Sequence, residues 1–100
     1  MDGIREMPNL SEEVIIQILC DELKLGEDII DYSIGSLNEL KNYKNMSGHS
    51  RVGLCAGCVY FAALIHGEKR TQREVSDSAE VSEVVIRARL KELVELNGLK

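Results

Sequence analysis

Much that would announce a specific chemistry is missing from this chain. Its 100 residues contain no tryptophan, one phenylalanine and a single proline, Pro8, so nothing beyond position 8 forbids a helix on backbone grounds. No apolar run approaches the roughly 20 residues of a membrane span, and the first residues lack the order of a signal peptide. These absences imply a soluble, intracellular protein without a membrane partner. Three cysteines are an odd number with no framework spacing, which excludes a disulfide-stapled scaffold. There is no phosphate-cradling glycine loop, and no nucleophile–base pair can be placed together. The chain therefore reads as a non-enzyme, with no catalytic residue and no cofactor assigned. Basic residues are outnumbered, 12 against 17 acidic, for a net charge of −5. Nonspecific DNA binding rests on cationic neutralisation of phosphates, so this balance argues against strong binding of that kind.

The charge is unevenly placed. Residues 1–47 hold four basic and ten acidic side chains, whereas residues 48–100 hold eight and seven. The acid is concentrated in the first half, where it also serves to keep a small domain soluble. One hundred residues suffice for one modest core. A short tail over residues 1–8 and one domain over residues 9–97 account for nearly all of the length.

Apolar residues recur at helical steps along that domain. With Asn9 or Ser11 as cap, the first helix carries a buried stripe of Val14, Ile15, Ile18, Leu19 and Leu23 and ends near Leu25-Gly26. The second runs from about Glu27 to Lys44, with Ile30, Ile34, Leu37 and Leu40 inward and Tyr43 near its end. The third, about Arg51 to His66, is apolar on nearly all sides and belongs at the centre, ended by Gly67. Its small residues, including Gly53, Ala56 and Gly57, let neighbours approach closely. Cys55 and Cys58 make a C-x-x-C, but they lie within this apolar run, without a second ligand pair nearby and with His49 and His66 at unconvincing spacings. Core packing is therefore assigned to them, and no metal site.

The most informative stretch is 67–93. Thr71 and Glu74 stand three apart before an apolar-periodic run, the pattern of a capping box that starts a short helix at Gln72. Ser82 caps a longer helix in which Ile86, Leu90, Leu93 and Val94 face the core. Another face carries Glu83, Val84, Arg87 and Lys91. Two helices joined by a tight turn over about 71–96 have the layout of a helix-turn-helix, whose second helix enters the major groove. Arg87 then suits guanine, and Val84 a thymine methyl. Lys69, Arg70 and Arg73 gather at the first helix's start, where free amides and positive side chains suit a phosphate. The competing reading is a plain helical hairpin with Arg87 paired to Glu83.

Ser47-Gly-His-Ser50, Cys55-Ala-Gly-Cys-Val-Tyr-Phe-Ala62, Lys69-Arg-Thr-Gln-Arg-Glu-Val75 and Val81-Ser-Glu-Val-Val-Ile-Arg87 together resemble one cyclin-like repeat of transcription factor IIB, or of archaeal transcription factor B. The second repeat is the nearer likeness. The resemblance implies an all-α, five-helix cyclin-like domain ending in a helix-turn-helix. It further implies promoter DNA beside the TATA box as ligand, and TATA-binding protein and other transcription machinery as partners. Val84 and Arg87 fall at base-reading positions. Lys69, Arg70, Thr71 and Arg73 match a region near the DNA backbone, and Ser82 is grouped with them. The departures are Arg51 for proline after Ser50, Glu80 for the glycine of the helix-turn-helix turn, and Val85 for threonine. Glu80 must then take a positive φ at some cost. A cyclin-fold module that binds a protein through its acidic first two helices, without touching DNA, is the alternative.

Overall fold

Five helices form among residues 10–98, the part of the chain that the computed structural model describes. They are α1 (Glu12–Glu22), α2 (Glu27–Tyr43), α3 (Arg51–Ile65), α4 (Gln72–Ala79) and α5 (Glu83–Leu96). The tail expected over residues 1–8, and Asn9 as a possible cap, lie outside the described residues. The all-α, five-helix expectation holds, and four of the five helices start at a residue whose side chain caps them. Ser11, Ser50, Thr71 and Ser82 each accept a backbone N–H from three residues ahead, satisfying a donor that the helix itself leaves open.

Centrality follows from composition. In α3 every residue from Gly53 to Ala63 is buried, and α1, α2, α4 and α5 all pack on it. A helix apolar all round has no face to offer water, so it must sit inside a ring of amphipathic ones. Its neighbours come very close at Gly53 and Gly57, which receive α5. A Cβ on Gly53 would lie 2.6 Å from Val85 Cγ1, and one on Gly57 would collide with Arg89 Cβ and lie 3.0 Å from its Cγ. Glycine at these two positions is thus a seat, one turn apart, for two residues of α5 that are themselves one turn apart.

The buried stripes are rotated from those that hydrophobicity alone picks out. In α1 the core residues are Ile15, Ile16, Leu19 and Cys20, and Val14 is exposed. In α2 they are Ile29, Ser33, Ser36, Leu37 and Leu40, with Ile30 and Ile34 half-buried and Tyr43 out in solvent. Ser33 escapes the desolvation penalty by donating its hydroxyl to Ile29 O at 2.7 Å. α1 also stops earlier than Leu25. Lys24 adopts φ 59°, and Leu25 N donates to Cys20 O at 2.8 Å, a Schellman ending with lysine where glycine is usual. Gly67 ends α3 as expected, at φ 73°, with Glu68 N donating to Ala63 O at 2.9 Å.

Candidate nucleic-acid interface

The α4–α5 hairpin is built by three local devices. At its start, Thr71 N donates to Glu74 Oε1 at 2.8 Å and Glu74 N donates to Thr71 Oγ1 at 3.0 Å, a complete capping box. The backbone bond from Thr71 holds the Glu74 carboxyl below its ordinary value. In the turn, Glu80 takes φ 58°, ψ 41°, and Val81 N donates to Ser76 O at 3.1 Å. The positive φ expected for Glu80 is therefore present in a residue whose Cβ makes that region costly. Ser82 then caps α5, its hydroxyl accepting Val85 N at 3.3 Å.

Val84 and Arg87 emerge from the first two turns of α5. Val84 is 64% exposed, an unusual state for a valine beside a core, and the Arg87 side chain is 53% exposed. Arg87 is not a loose cation. Its Nη1 donates to Gln72 Oε1 at 3.0 Å, across the hairpin, and stands 3.9 Å from Glu83 Oε1. The pairing with Glu83 weighed from the sequence is thus present but long, and the shorter contact is to Gln72, which sequence spacing did not single out.

The residues grouped at the phosphate side behave differently from one another. Lys69 is exposed just before α4. Arg73 is also exposed, with Nε 3.5 Å from Asp77 Oδ2, an i,i+4 pair of small energetic weight at the surface. Thr71 and Ser82 have their oxygens engaged as caps. Arg70 turns away from the hairpin's outer face. Its Nε donates to Leu23 O at 3.0 Å, Nη2 to Lys24 O at 3.3 Å, and Nη1 to Glu68 O at 3.0 Å. The guanidinium therefore closes the end of α1, satisfying carbonyls next to the left-handed Lys24 and favourably opposing the helix dipole. Its placement is that of a strut between the first helix and the hairpin.

Beneath the outer face, α5 carries a buried charged cluster that its sequence does not announce. Arg89 and Glu92 are both 8% exposed. Arg89 Nη2 donates to Glu92 Oε2 at 3.1 Å, while Nε and Glu92 Oε1 stand 2.6 Å apart, close as charges but not aligned as a hydrogen bond. Lys44 Nζ donates to Glu92 Oε2 at 3.1 Å, and Arg89 Nη1 lies 3.0 Å from His49 Nδ1, which must accept. The cluster ties the end of α2 and the loop before α3 to α5. Desolvation offsets much of the attraction in a buried pair of this kind, so removing one partner costs more than the pair itself contributes.

The thiols sit deep in the core. Burial pushes Cys20 up to about 11 and Cys55 up to about 12, and raises Cys58 as well. All three are reduced and buried, the packing role expected of them.

Comparison with known proteins converges on one family. The family model described as "Transcription factor TFIIB repeat" matches residues 5–96. The chain is 49% identical over 80 residues to transcription initiation factor IIB of Pyrococcus horikoshii, covering 80% of this chain and 27% of that protein. It is 42% identical over 89 residues to transcription initiation factor IIB 1 of Thermoplasma volcanium, covering 89% and 28%. With transcription initiation factor IIB of Pyrobaculum neutrophilum it shares 33% over 95 residues, covering 95% and 28%. The chain thus spans little more than a quarter of the length of these relatives.

Proposed function

This chain belongs to the transcription factor TFIIB repeat family, and from that premise we propose that it is a promoter DNA-binding module of the IIB type. It reads base edges beside the TATA box, in company with TATA-binding protein. The observation that carries the reading is the pair Val84 and Arg87, both projecting outward from the capped start of the second helix of a helix-turn-helix. A bidentate arginine–guanine contact discriminates by about 1–3 kcal/mol, enough to set one base pair.

A partner is required on electrostatic grounds. Lys69, Arg73, Arg87 and Lys91 are the exposed cations of the hairpin, and they share it with Glu80, Glu83 and Asp77. So few uncompensated charges release few counterions, and affinity for DNA alone is correspondingly low. TATA-binding protein, already on the duplex, supplies the rest of the holding energy and presents the flank at high effective concentration. Other transcription machinery is a further proposed partner.

The test is a gel shift on duplex DNA carrying a TATA box and its upstream flank, with and without TATA-binding protein. A complex that needs TATA-binding protein and weakens when the flank is scrambled supports the reading. A complex indifferent to the flank contradicts it. A second reading, a module that binds protein through its acidic helices, draws on the groove at the α1–α2 junction lined by Asp21, Glu27 and Asp31. Reversing Asp28 and Asp31 would then weaken partner binding, and replacing Arg87 would leave it intact.

A further inference from the structure

Arg87 reaches 53% exposure on a side chain with four rotatable bonds, yet it is held from the far side of the hairpin. We infer that Gln72 is a specificity-positioning residue: its side-chain carbonyl fixes the Arg87 guanidinium so that one edge is presented for a guanine. The inference rests on the function proposed above and adds to it a residue on the other helix.

The geometry carries it in two steps. First, both contacts of the guanidinium fall on one nitrogen, Nη1: Gln72 Oε1 at 3.0 Å and Glu83 Oε1 at 3.9 Å. Among the described residues, Nε and Nη2 have no hydrogen-bond or ion-pair partner, and the side chain is 53% exposed. The Nε–Nη2 edge carries two parallel N–H groups, the fork that matches the O6 and N7 acceptors of guanine. Second, the anchor stands on a backbone that is fixed locally and independently of α5. Gln72 is half-buried and is the first residue of α4, enclosed by the capping box that pins Thr71 to Glu74. Glu83 cannot do the same work. Being on α5 one turn away, it moves with Arg87, and its contact is too long for a hydrogen bond.

A tether of this kind acts by removing rotamer freedom before DNA arrives, so that less is lost on docking. It favours the correct base only, because a wrong base leaves the fixed fork unpaired. A merely structural role for Gln72 would alter stability, or affinity for every sequence alike, and would leave base preference untouched.

The experiment measures competition between duplexes that differ at each base of the upstream flank, in the presence of TATA-binding protein, with thermal unfolding recorded alongside. The proteins are wild type, Gln72→Met, Gln72→Glu and Arg87→Ala. Methionine keeps the length and helix preference of glutamine but has no carbonyl, so Gln72→Met folds normally and loses about three- to tenfold in preference at the base pair read by Arg87. Gln72→Glu retains an acceptor and retains the preference, whatever its added charge does to overall affinity. Wild-type preference in Gln72→Met, together with lost preference in Arg87→Ala, overturns the inference while leaving Arg87 as a base reader. Unchanged preference in Arg87→Ala overturns the reading on which the inference stands.

Discussion

Replacing Gly57 by alanine puts the packing of α5 on α3 to a direct test. The new methyl would collide with Arg89 Cβ, stand 3.0 Å from Cγ and 3.7 Å from Cα. The first obstacle is a backbone-anchored atom, so no rotamer change in Arg89 relieves it. α5 itself must move, straining the cluster formed by Arg89, Glu92, Lys44 and His49. Overpacking without an escape costs about 2–3 kcal/mol, the upper part of its usual range. Alanine in a helix interior returns about 1 kcal/mol relative to glycine. The net loss is about 1–2 kcal/mol, which lowers the melting temperature of a domain this size by roughly 5–15 °C. Two other helical glycines calibrate the measurement. At Gly35, in α2, a Cβ meets nothing within 4 Å, so Gly35→Ala raises the melting temperature by about 4–8 °C. Gly53→Ala falls between them, because its obstacle, Val85 Cγ1 at 2.6 Å, is the end of a half-exposed side chain. Circular dichroism melts of the three variants give the order. A Gly57→Ala protein as stable as wild type, beside a stabilised Gly35→Ala, would refute the seat on α3.

The turn, the cap and the thiols yield further expectations. Glu80→Gly, by relieving the left-handed conformation, stabilises by about 1 kcal/mol in urea unfolding; a loss of stability would mean that the Glu80 side chain is held by something else. Glu74, whose folded-state pKa is below its unfolded value of about 4.5, stabilises the hairpin above that pH and ceases to as pH falls through the lowered value. Acid unfolding of Glu74→Gln should accordingly be less steep than that of wild type across this window. With burial pushing Cys20 up to about 11 and Cys55 up to about 12, native protein at pH 8 reacts slowly with a thiol reagent, and all three cysteines react at once on denaturation; fast labelling of the native state would contradict their burial.

Three helix starts were legible from their caps because a cap is a local device: Ser11, Thr71 and Ser82 need only the next three residues to act. The ends and faces were less so. Val14, Ile15 and Ile16 are consecutive, so two overlapping stripes fit α1 equally well, and only the position of α3 selects the one containing Ile16 and Cys20. Ser33 and Ser36 face the core because small side chains let α2 approach α3, a property that hydrophobic spacing does not register. Arg89 and Glu92 look like surface charges at an i,i+3 step until Gly57 makes room for the arginine stem and Lys44 and His49 supply partners from distant positions. Arg70 is similar. Among the cations at the start of α4 nothing local separates it from Lys69, and its bonds to Leu23 and Lys24 exist only once α1 is folded beside it. Of the candidate site, Val84 and Arg87 could be placed from the caps and the helical period, whereas Gln72 required the angle between α4 and α5.

The central claim is that the start of α5 reads bases. It is tested most directly by selecting bound duplexes from a pool with a TATA box and a randomised upstream flank, using TATA-binding protein with wild type or Arg87→Ala. Guanine enriched at one flank position by wild type, and at that position alone lost in the variant with total binding largely kept, is the expected result. Identical sequence profiles for the two proteins would contradict the claim.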